Sequence, residues 1–491
     1  MNASEIIKLC KGKGLNGVPK CSLVSNCLPP EPINQRLTEE QLSPPVPSYH
    51  VNSRTDAFHP KLQRTCLDCP VAVIRNLTAT LEINLDLYST KTLVETRPNT
   101  KIDIREQRRY AFDENWDEER RKKNWACTSK MSYMTISKYA KYQTDRLLEE
   151  DQTLLEENRN PNLSTFDGPD KVTERNKTVK FATNVDLSKP CWKPQLNELT
   201  KLPSLFKVEC ADNMLSYMCR DLLGMNTVQL YMKVPGCRTT GHQENNNFCS
   251  VNINIGPGDC EWFAAPHEYW GVINSLCERN GVDYLRDPWW PPNLDVLREN
   301  NVPVYRFVQK PGDIVWVNVG CVHWVHAIGC CNNIAWNVGP FTVKQYQTAI
   351  ERYEWNKLRQ YLSIVPMVEL SWNLARKAKV SNQLLYQLIK NCLSNTMKQN
   401  YLTLELIESK GLTVKKYADE CENDETAYCE DCAAEIFNII ICKRKSKKTK
   451  THLVYCLDCA LKQSTSLENF VFLEKCCMEN LMNIYDKFVC Y

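Results

Sequence analysis

The sequence predicts a mainly β protein, a sandwich or jelly roll with helical additions and a small C-terminal unit built on four cysteines. Three observations carry that prediction. Between Lys180 and Pro340, aromatic and β-branched residues dominate. Turns at Val234-Pro235-Gly236, Pro257-Gly258-Asp259 and Pro311-Gly312-Asp313 cut this stretch into short strands. After Pro340 the apolar period becomes helical, with Leu385, Leu388, Ile389, Cys392 and Leu393 on one face. Near the end, two C-x-x-C pairs face each other across a spacer.

Taken in order, residues 1–60 are poor in core residues and carry Leu42-Ser43-Pro44-Pro45-Val46-Pro47, which predicts an extended N-terminal arm rather than a domain. Residues 61–190 open the folded unit. Val71, Val73, Leu77, Leu81, Ile83, Leu85 and Leu87 predict strands from Val71 to Leu87. Within this part, 148–178 is acidic and amide-rich without apolar periodicity, which predicts a disordered insertion. Residues 191–350 form the barrel and 351–420 a helical linker, with Ser381 as N-cap and Gly411 as stop. Residues 421–491 form the cysteine-rich unit. No internal repeat with a period of roughly 20–50 residues is present, which excludes a solenoid.

At 491 residues the chain is too long for one compact core, and about two to four domains are expected. A net charge of +3 gives no global field that would mark a nucleic-acid or membrane binder. No apolar run approaches the ~20 residues that span a bilayer, so no membrane span is expected. Met1–Leu9 lacks the apolar region and cleavage site of a secretory signal, so secretion is not expected. The 26 cysteines are therefore read in a reducing compartment, as small buried hydrophobes or metal ligands.

The chemistry is concentrated in Gly241-His242-Gln243-Glu244-Asn245 and Gly320-Cys321-Val322-His323-Trp324. Residues two apart on a strand share a face, so His242 and Glu244 can project together. His323 follows the apolar run Ile314–Val319 and can supply a third ligand from another strand. Two histidines and one carboxylate make the facial triad that leaves three positions open on non-haem iron(II) for a cosubstrate and oxygen. An H-x-E pair alone arises often by chance; with only seven histidines in the chain, the pairing with His323 carries more weight. Gln229, Tyr231 and Lys233 alternate with Leu230, Met232 and Val234, and Ser250, Asn252 and Asn254 with Val251, Ile253 and Ile255. Such polar rows either face solvent or line a wet cavity in which a lysine pairs with a dicarboxylate.

Cys429-Glu430-Asp431-Cys432 and Cys456-Leu457-Asp458-Cys459 predict a four-thiolate zinc site, closed and therefore structural. His452 is a substitute ligand with poorer spacing. Residues 443–450, Lys-Arg-Lys-Ser-Lys-Lys-Thr-Lys, are either a solvated hairpin tip or a nuclear-import or DNA-phosphate patch.

Several blocks resemble one known class throughout. These are Gln229–Gly236, Gly241–Asn252, Val302–Phe307, Asn332–Pro340, Glu351–Leu358 and, early on, Leu9–Gly17. They are similar to the catalytic region of JmjC-domain histone lysine demethylases of the UTX/UTY class, the lysine demethylase 6 family. The resemblance implies a double-stranded β-helix (jelly-roll, cupin-like JmjC) over 191–350, with 61–190 as the N-terminal part of the catalytic unit. It implies iron(II) on His242, Glu244 and His323, and O2 as oxidant. It also implies 2-oxoglutarate held by Lys233 and Thr239 at one end and Asn252 and Ser250 at the other. Tyr231 would line the methyl-lysine pocket and Zn2+ would be structural.

The implied substrate is methylated lysine 27 of the histone H3 tail in the nucleosome, with formaldehyde and succinate released. The implied setting is the nucleus and a chromatin-modifying complex. Two departures stand out. His326 occupies a place where relatives carry glutamine and competes with the favoured His323 as third ligand. Cys66-Leu67-Asp68-Cys69 has no counterpart and no second pair nearby, so idle thiols are expected. UTX-like proteins carry tetratricopeptide repeats upstream; a short form, a repeatless relative or a fragment would each account for a chain that starts here. Two rival readings remain at this stage: a hydroxylase acting on an unmethylated side chain, and a catalytically weak chromatin adaptor.

Overall fold

The computed structural model describes residues 1–14, 26–111, 113–117, 119, 121–159, 178–417, 426–444 and 452–491. Its centre is a barrel of eight strands: β6 Gln229–Lys233, β7 Arg238–His242, β8 Cys249–Pro257, β9 Cys260–Ala265, β10 Tyr305–Gln309, β11 Ile314–Val317, β12 Val322–Ala327 and β13 Cys331–Val338. They form two facing sheets, in the order β11-β8-β13-β6 on one side and β10-β9-β12-β7 on the other. Apart from β9 and β10, which pair within the second sheet, consecutive strands alternate between sheets, the double-stranded β-helix. The first sheet continues on one edge into β2 Val71–Arg75 and β1 Ser48–His50. On the other edge it continues into β5 Thr178–Asp186, β3 Lys101–Arg108 and β4 Ser129–Thr135, for nine strands among the described residues.

Side-chain alternation decides what each face does. Ala72, Ile74, Leu230, Met232, Val251, Ile253, Ile314, Trp316, Ile334 and Trp336 point away from the barrel into one core beneath the N-terminal helices. Val71, Val73, Val315 and Val317 point inward, where they meet Trp262, Ala264, Phe307 and Val325 of the second sheet. Strands β2 and β11 are buried on both faces, which is why they read as unbroken apolar runs. The inner face of β6, β8 and β13 is polar instead.

Two turns close one end of the barrel at backbone contact. A Cβ on Gly258 would stand 2.6 Å from the Gly329 backbone, so only glycine fits there.

Several sequence expectations are corrected. The span Val71–Leu87 is one strand, Val71–Arg75, followed by helical turns Leu77–Thr80 and Leu85–Tyr88. Leu77, Leu81 and Leu85 are four apart, a spacing that serves a helical turn as well as the alternation it resembled. The arm is partly helical. Ala3–Cys10 is closed by a capping box between Asn2 and Glu5, and it buries Ala3 and Ile6 in the core of the C-terminal helices. The helix Ile136–Arg159 runs into the predicted insertion, so 148–159 is helical; residues 160–177 lie outside the described residues.

The C-terminal helices Val343–Leu358, Met367–Lys377 and Gln383–Ser409 share that second core. The N-cap of the last is Asn382, not Ser381, because the Asn382 side chain accepts from the Leu384 and Leu385 amides. Gly411 ends it at φ 69°, the left-handed conformation that glycine favours. No described helix is long and apolar enough to cross a membrane.

Candidate active site

His242 reaches the barrel interior through an irregularity that the sequence conceals. His323 pairs with His242, but Val325 pairs with Thr239, so β7 spends three residues where β12 spends two. A bulge of this kind reverses the facing of everything beyond it. Thr239 and His242 therefore both point inward, although three residues apart. β7 ends at His242, and Glu244 follows in extended backbone (φ −59°, ψ 150°), which keeps it on the His242 side. The ligand atoms of His242, Glu244 and His323 all lie within 4.8 Å of one another. Glu244 Oε1 is 3.5 Å from His323 Nε2 and 4.0 Å from His242 Nε2. Inward-facing Val325 and Ala327 flank His326, so it points to the opposite face, beside Arg238 and Arg109, and is outside this cluster.

Each ligand is oriented from behind. His242 Nδ1 donates to the Thr240 carbonyl at 2.8 Å and His323 Nδ1 to the Cys321 carbonyl at 3.2 Å. A carbonyl only accepts, so both Nδ1 atoms carry the proton and both Nε2 lone pairs are free to bind a metal. Trp262 stacks on His323 with centroids 5.7 Å apart. Asn337 Nδ2 donates to Glu244 Oε2 at 3.0 Å.

Burial, with the neighbouring His323, pushes His242 down to about 4, so it is neutral near pH 7. Burial opposes ionisation of Glu244. Its polar neighbours His323, His242 and Asn337 outweigh it and lower the carboxyl to about 2. A neutral imidazole and a carboxylate are the protonation states a metal needs. Ligand atoms around an octahedral ion with bonds of about 2.1 Å lie roughly 3 Å apart, so a small contraction of this trio would accommodate one.

The other expected site residues line the same interior. Lys233 is only 3% exposed, with Nζ 5.6 Å from the Phe181 ring centroid, so it does not face solvent. Thr239 lies opposite Val325. Ser250 is buried, opposite Val317 and Asn337. Asn252 Oδ1 accepts from Gln309 Nε2 at 3.2 Å and Asn333 Nδ2 at 3.1 Å, so its carbonyl end is engaged in the wall. Tyr231 and His242 stand where two surface clefts of about 510 and 570 Å³ meet.

Over a hundred residues on, the Cys429, Cys432, Cys456 and Cys459 sulfurs gather in a second cluster, also within 4.8 Å of one another. Cys432 and Cys456 are 3.7 Å apart, and tetrahedral zinc with bonds of about 2.3 Å would place sulfurs about 3.8 Å apart. Hydrogen bonding from Cys456 favours the Cys432 thiolate. His452 is exposed at the start of the strand His452–Tyr455 and is not in the cluster. The Cys66–Cys69 pair joins no such group among the described residues, and burial raises the Cys66 thiol. Of the basic run 443–450, Lys443 and Arg444 end the strand Ile439–Arg444; the rest lies outside the described residues.

The sequence reading missed Asn337, Trp262, Gln243, Tyr284 and Arg352. Asn337 had a signal, since it falls on the inward parity of a strand with Asn333. The other four had none, because their partners are remote in sequence.

Three family descriptions match the chain. "JmjC domain, hydroxylase" covers residues 229–338, "Lysine-specific demethylase 6/UTY, C-terminal helical domain" covers 345–400, and "KDM6, GATA-like" covers 418–478. The chain is 46% identical over 498 residues to lysine-specific demethylase 6B of Homo sapiens, an alignment covering 99% of this chain and 30% of that protein. It is 30% identical over 464 residues to lysine-specific demethylase jmjd-3.1 of Caenorhabditis elegans, covering 91% of this chain and 43% of that protein. A shorter likeness, 25% over 173 residues, reaches C-module-binding factor A of Dictyostelium discoideum, 34% of this chain and 17% of that protein. The chain thus spans less than half the length of each.

Proposed function

The chain belongs to the lysine-specific demethylase 6 family, and we propose that it is a nuclear iron(II)- and 2-oxoglutarate-dependent oxygenase that demethylates lysine 27 of histone H3. The observation that carries this reading is the meeting of His242, Glu244 and His323 within 4.8 Å of one another, with His242 at the junction of two clefts. When bound, iron(II), 2-oxoglutarate and oxygen would supply the oxidation that turns an N-methyl group into a hydroxymethyl, which leaves as formaldehyde, while 2-oxoglutarate loses its carboxyl as carbon dioxide and becomes succinate.

The chain's own residues do the rest. His242, Glu244 and His323 take one side of the metal and leave the other open. Lys233 and Thr239 hold the distal carboxylate of the cosubstrate inside the barrel. Ser250 and Asn252 border its other end. The apolar lining from Trp262, Val315 and Phe307 excludes water from the reacting atoms. Tyr231 guides the methylated side chain from the clefts toward the centre.

The four-cysteine module holds structural zinc and extends the grip on the H3 tail. It is docked on the helical segment: Glu435 accepts from the Val368 and Glu369 amides at 3.1 and 2.8 Å, and the Tyr428 hydroxyl donates to the Ser363 carbonyl at 2.9 Å. The nucleosome and a chromatin-modifying complex are the proposed partners, and residues 443–450 a DNA-phosphate contact.

The test is mass spectrometry of methylated histone peptides incubated with iron(II), 2-oxoglutarate and the protein. Methyl loss at lysine 27 with matching formaldehyde and succinate is expected. Succinate without formaldehyde would make the chain a hydroxylase of unmethylated side chains, and peptide binding without succinate would make it an adaptor.

A further inference from the structure

We propose that Gln243 is a positioning residue for the metal centre: its carboxamide ties the strand end bearing His242 and Glu244 to the turn that leads into His323. The proposal rests on the metal-centre reading above and adds what fixes the spacing of its ligands. The ligand-bearing segments need such a tie. The β7–β12 ladder is interrupted by the bulge and stops at the His242–His323 pair, so Glu244 lies beyond it.

Gln243 points away from the two ligands that flank it, and every polar atom of its amide is engaged. Nε2 donates to the Gly320 carbonyl at 2.6 Å, three residues before His323, and stands 3.4 Å from His267 Nδ1. Oε1 accepts from the Tyr284 hydroxyl at 2.8 Å and from Arg352 Nη2. One side chain thus spans both halves of the site.

Both ends of the tie are themselves held. Gly320 sits at φ 63° against His267, whose Nδ1 would lie 2.2 Å from any Cβ there, so the turn cannot move outward. Tyr284 stacks on Trp289 at 5.4 Å, and the Trp289 ring fills the space a Cβ on Gly241 would need. Positions 241 and 243 are therefore anchored to one aromatic pair, and His242 between them is presented to the opposite side. Arg352 is buried against the Trp270 ring, 4.2 Å from its centroid. Its cation polarises the Gln243 carbonyl and so strengthens the N–H donated to Gly320. Metal constellations work only when such supports hold ligands to within about 0.5 Å.

The experiment measures Mn(II) affinity by calorimetry on the zinc-loaded chain for Gln243→Met, Gln243→Glu and the control His242→Ala. Melting temperature and zinc stoichiometry are recorded beside it. Gln243→Met removes every one of these bonds and leaves Arg352 facing an apolar group. Gln243→Glu keeps the acceptor for Arg352 and Tyr284, and so the fold, but turns a carboxylate oxygen on the Gly320 carbonyl. Loss of an outer support typically weakens metal binding about ten- to a hundredfold, and that loss is expected in Gln243→Glu at wild-type melting temperature. The added negative charge alone would tighten the metal, so weakening can come only from the lost tie. Wild-type or tighter affinity in Gln243→Glu overturns the proposal, as does weakening that only follows a fall in melting temperature. Undiminished Mn(II) binding by His242→Ala would instead overturn the triad itself.

Discussion

Replacing Lys233 by methionine separates cosubstrate binding from stability in one variant. Lys233 is buried in the barrel, and its ammonium meets the Phe181 ring; no carboxylate pairs with it among the described residues. The cosubstrate carboxylate would be its only ionic partner, so the whole of that charge-assisted bond should appear in 2-oxoglutarate affinity. Such a bond contributes about 1.5–3 kcal/mol, and roughly 1.4 kcal/mol is tenfold, so the requirement should rise about ten- to a hundredfold. The free protein should behave oppositely. Methionine keeps the length of the side chain and removes a desolvated charge that leaves no partner stranded, so the melting temperature should hold or rise. The assays are succinate formation over a 2-oxoglutarate titration, calorimetry with the Mn(II)-loaded protein, and a thermal melt without cosubstrate. An unchanged 2-oxoglutarate requirement, or a clear loss of stability, would refute the reasoning and make Lys233 a structural cation.

Three further outcomes are expected. His242→Ala should abolish peptide demethylation while zinc stoichiometry stays at the wild-type level, because the two clusters share no residue; full activity would remove the triad assignment. Cys456→Ser should lose zinc and activity on long histone peptides yet keep succinate formation without peptide, both normalised to bound iron; equal loss of the two would tie the module to the stability of the barrel. Gly258→Ala would put a Cβ 2.6 Å from the Gly329 backbone, which cannot yield as a side chain could. A destabilisation of about 1–3 kcal/mol is expected, and a denaturant midpoint equal to wild type would mean the two turns can part freely.

Much of the site was legible in the sequence. The period-two rows on β6 and β8 separated an apolar outer face from a polar inner one, because a strand's alternation is local and survives whatever sheet the strand joins. The two C-x-x-C pairs foretold the sulfur cluster for a related reason: each pair turns its thiols together within one short loop. Local signals also misled. Leu77, Leu81 and Leu85 fitted alternation and helical spacing alike, and they lie in or at the end of helical turns beyond the strand that ends at Arg75. The acidic stretch after 148 looked structureless, yet its start continues the helix from Ile136, since polar residues with good helix propensity need no apolar stripe to extend an anchored helix.

By itself, then, the sequence determined the strand faces, the helical C-terminal segment, the closed thiolate set and the pairing of His242 with Glu244 on one face. Each of these depends on covalent spacing and on the backbone's fixed periods. Tertiary structure alone decided between His323 and His326, through the side of β12 that faces Trp262, and brought Thr239 and His242 to one face through a bulge in β7. It also supplied the partners of Gln243 from Gly320, Tyr284 and Arg352, which no spacing along the chain brings near. A bulge is a property of two paired strands and a hydrogen-bond network of several remote segments, so neither exists until the sheets have closed.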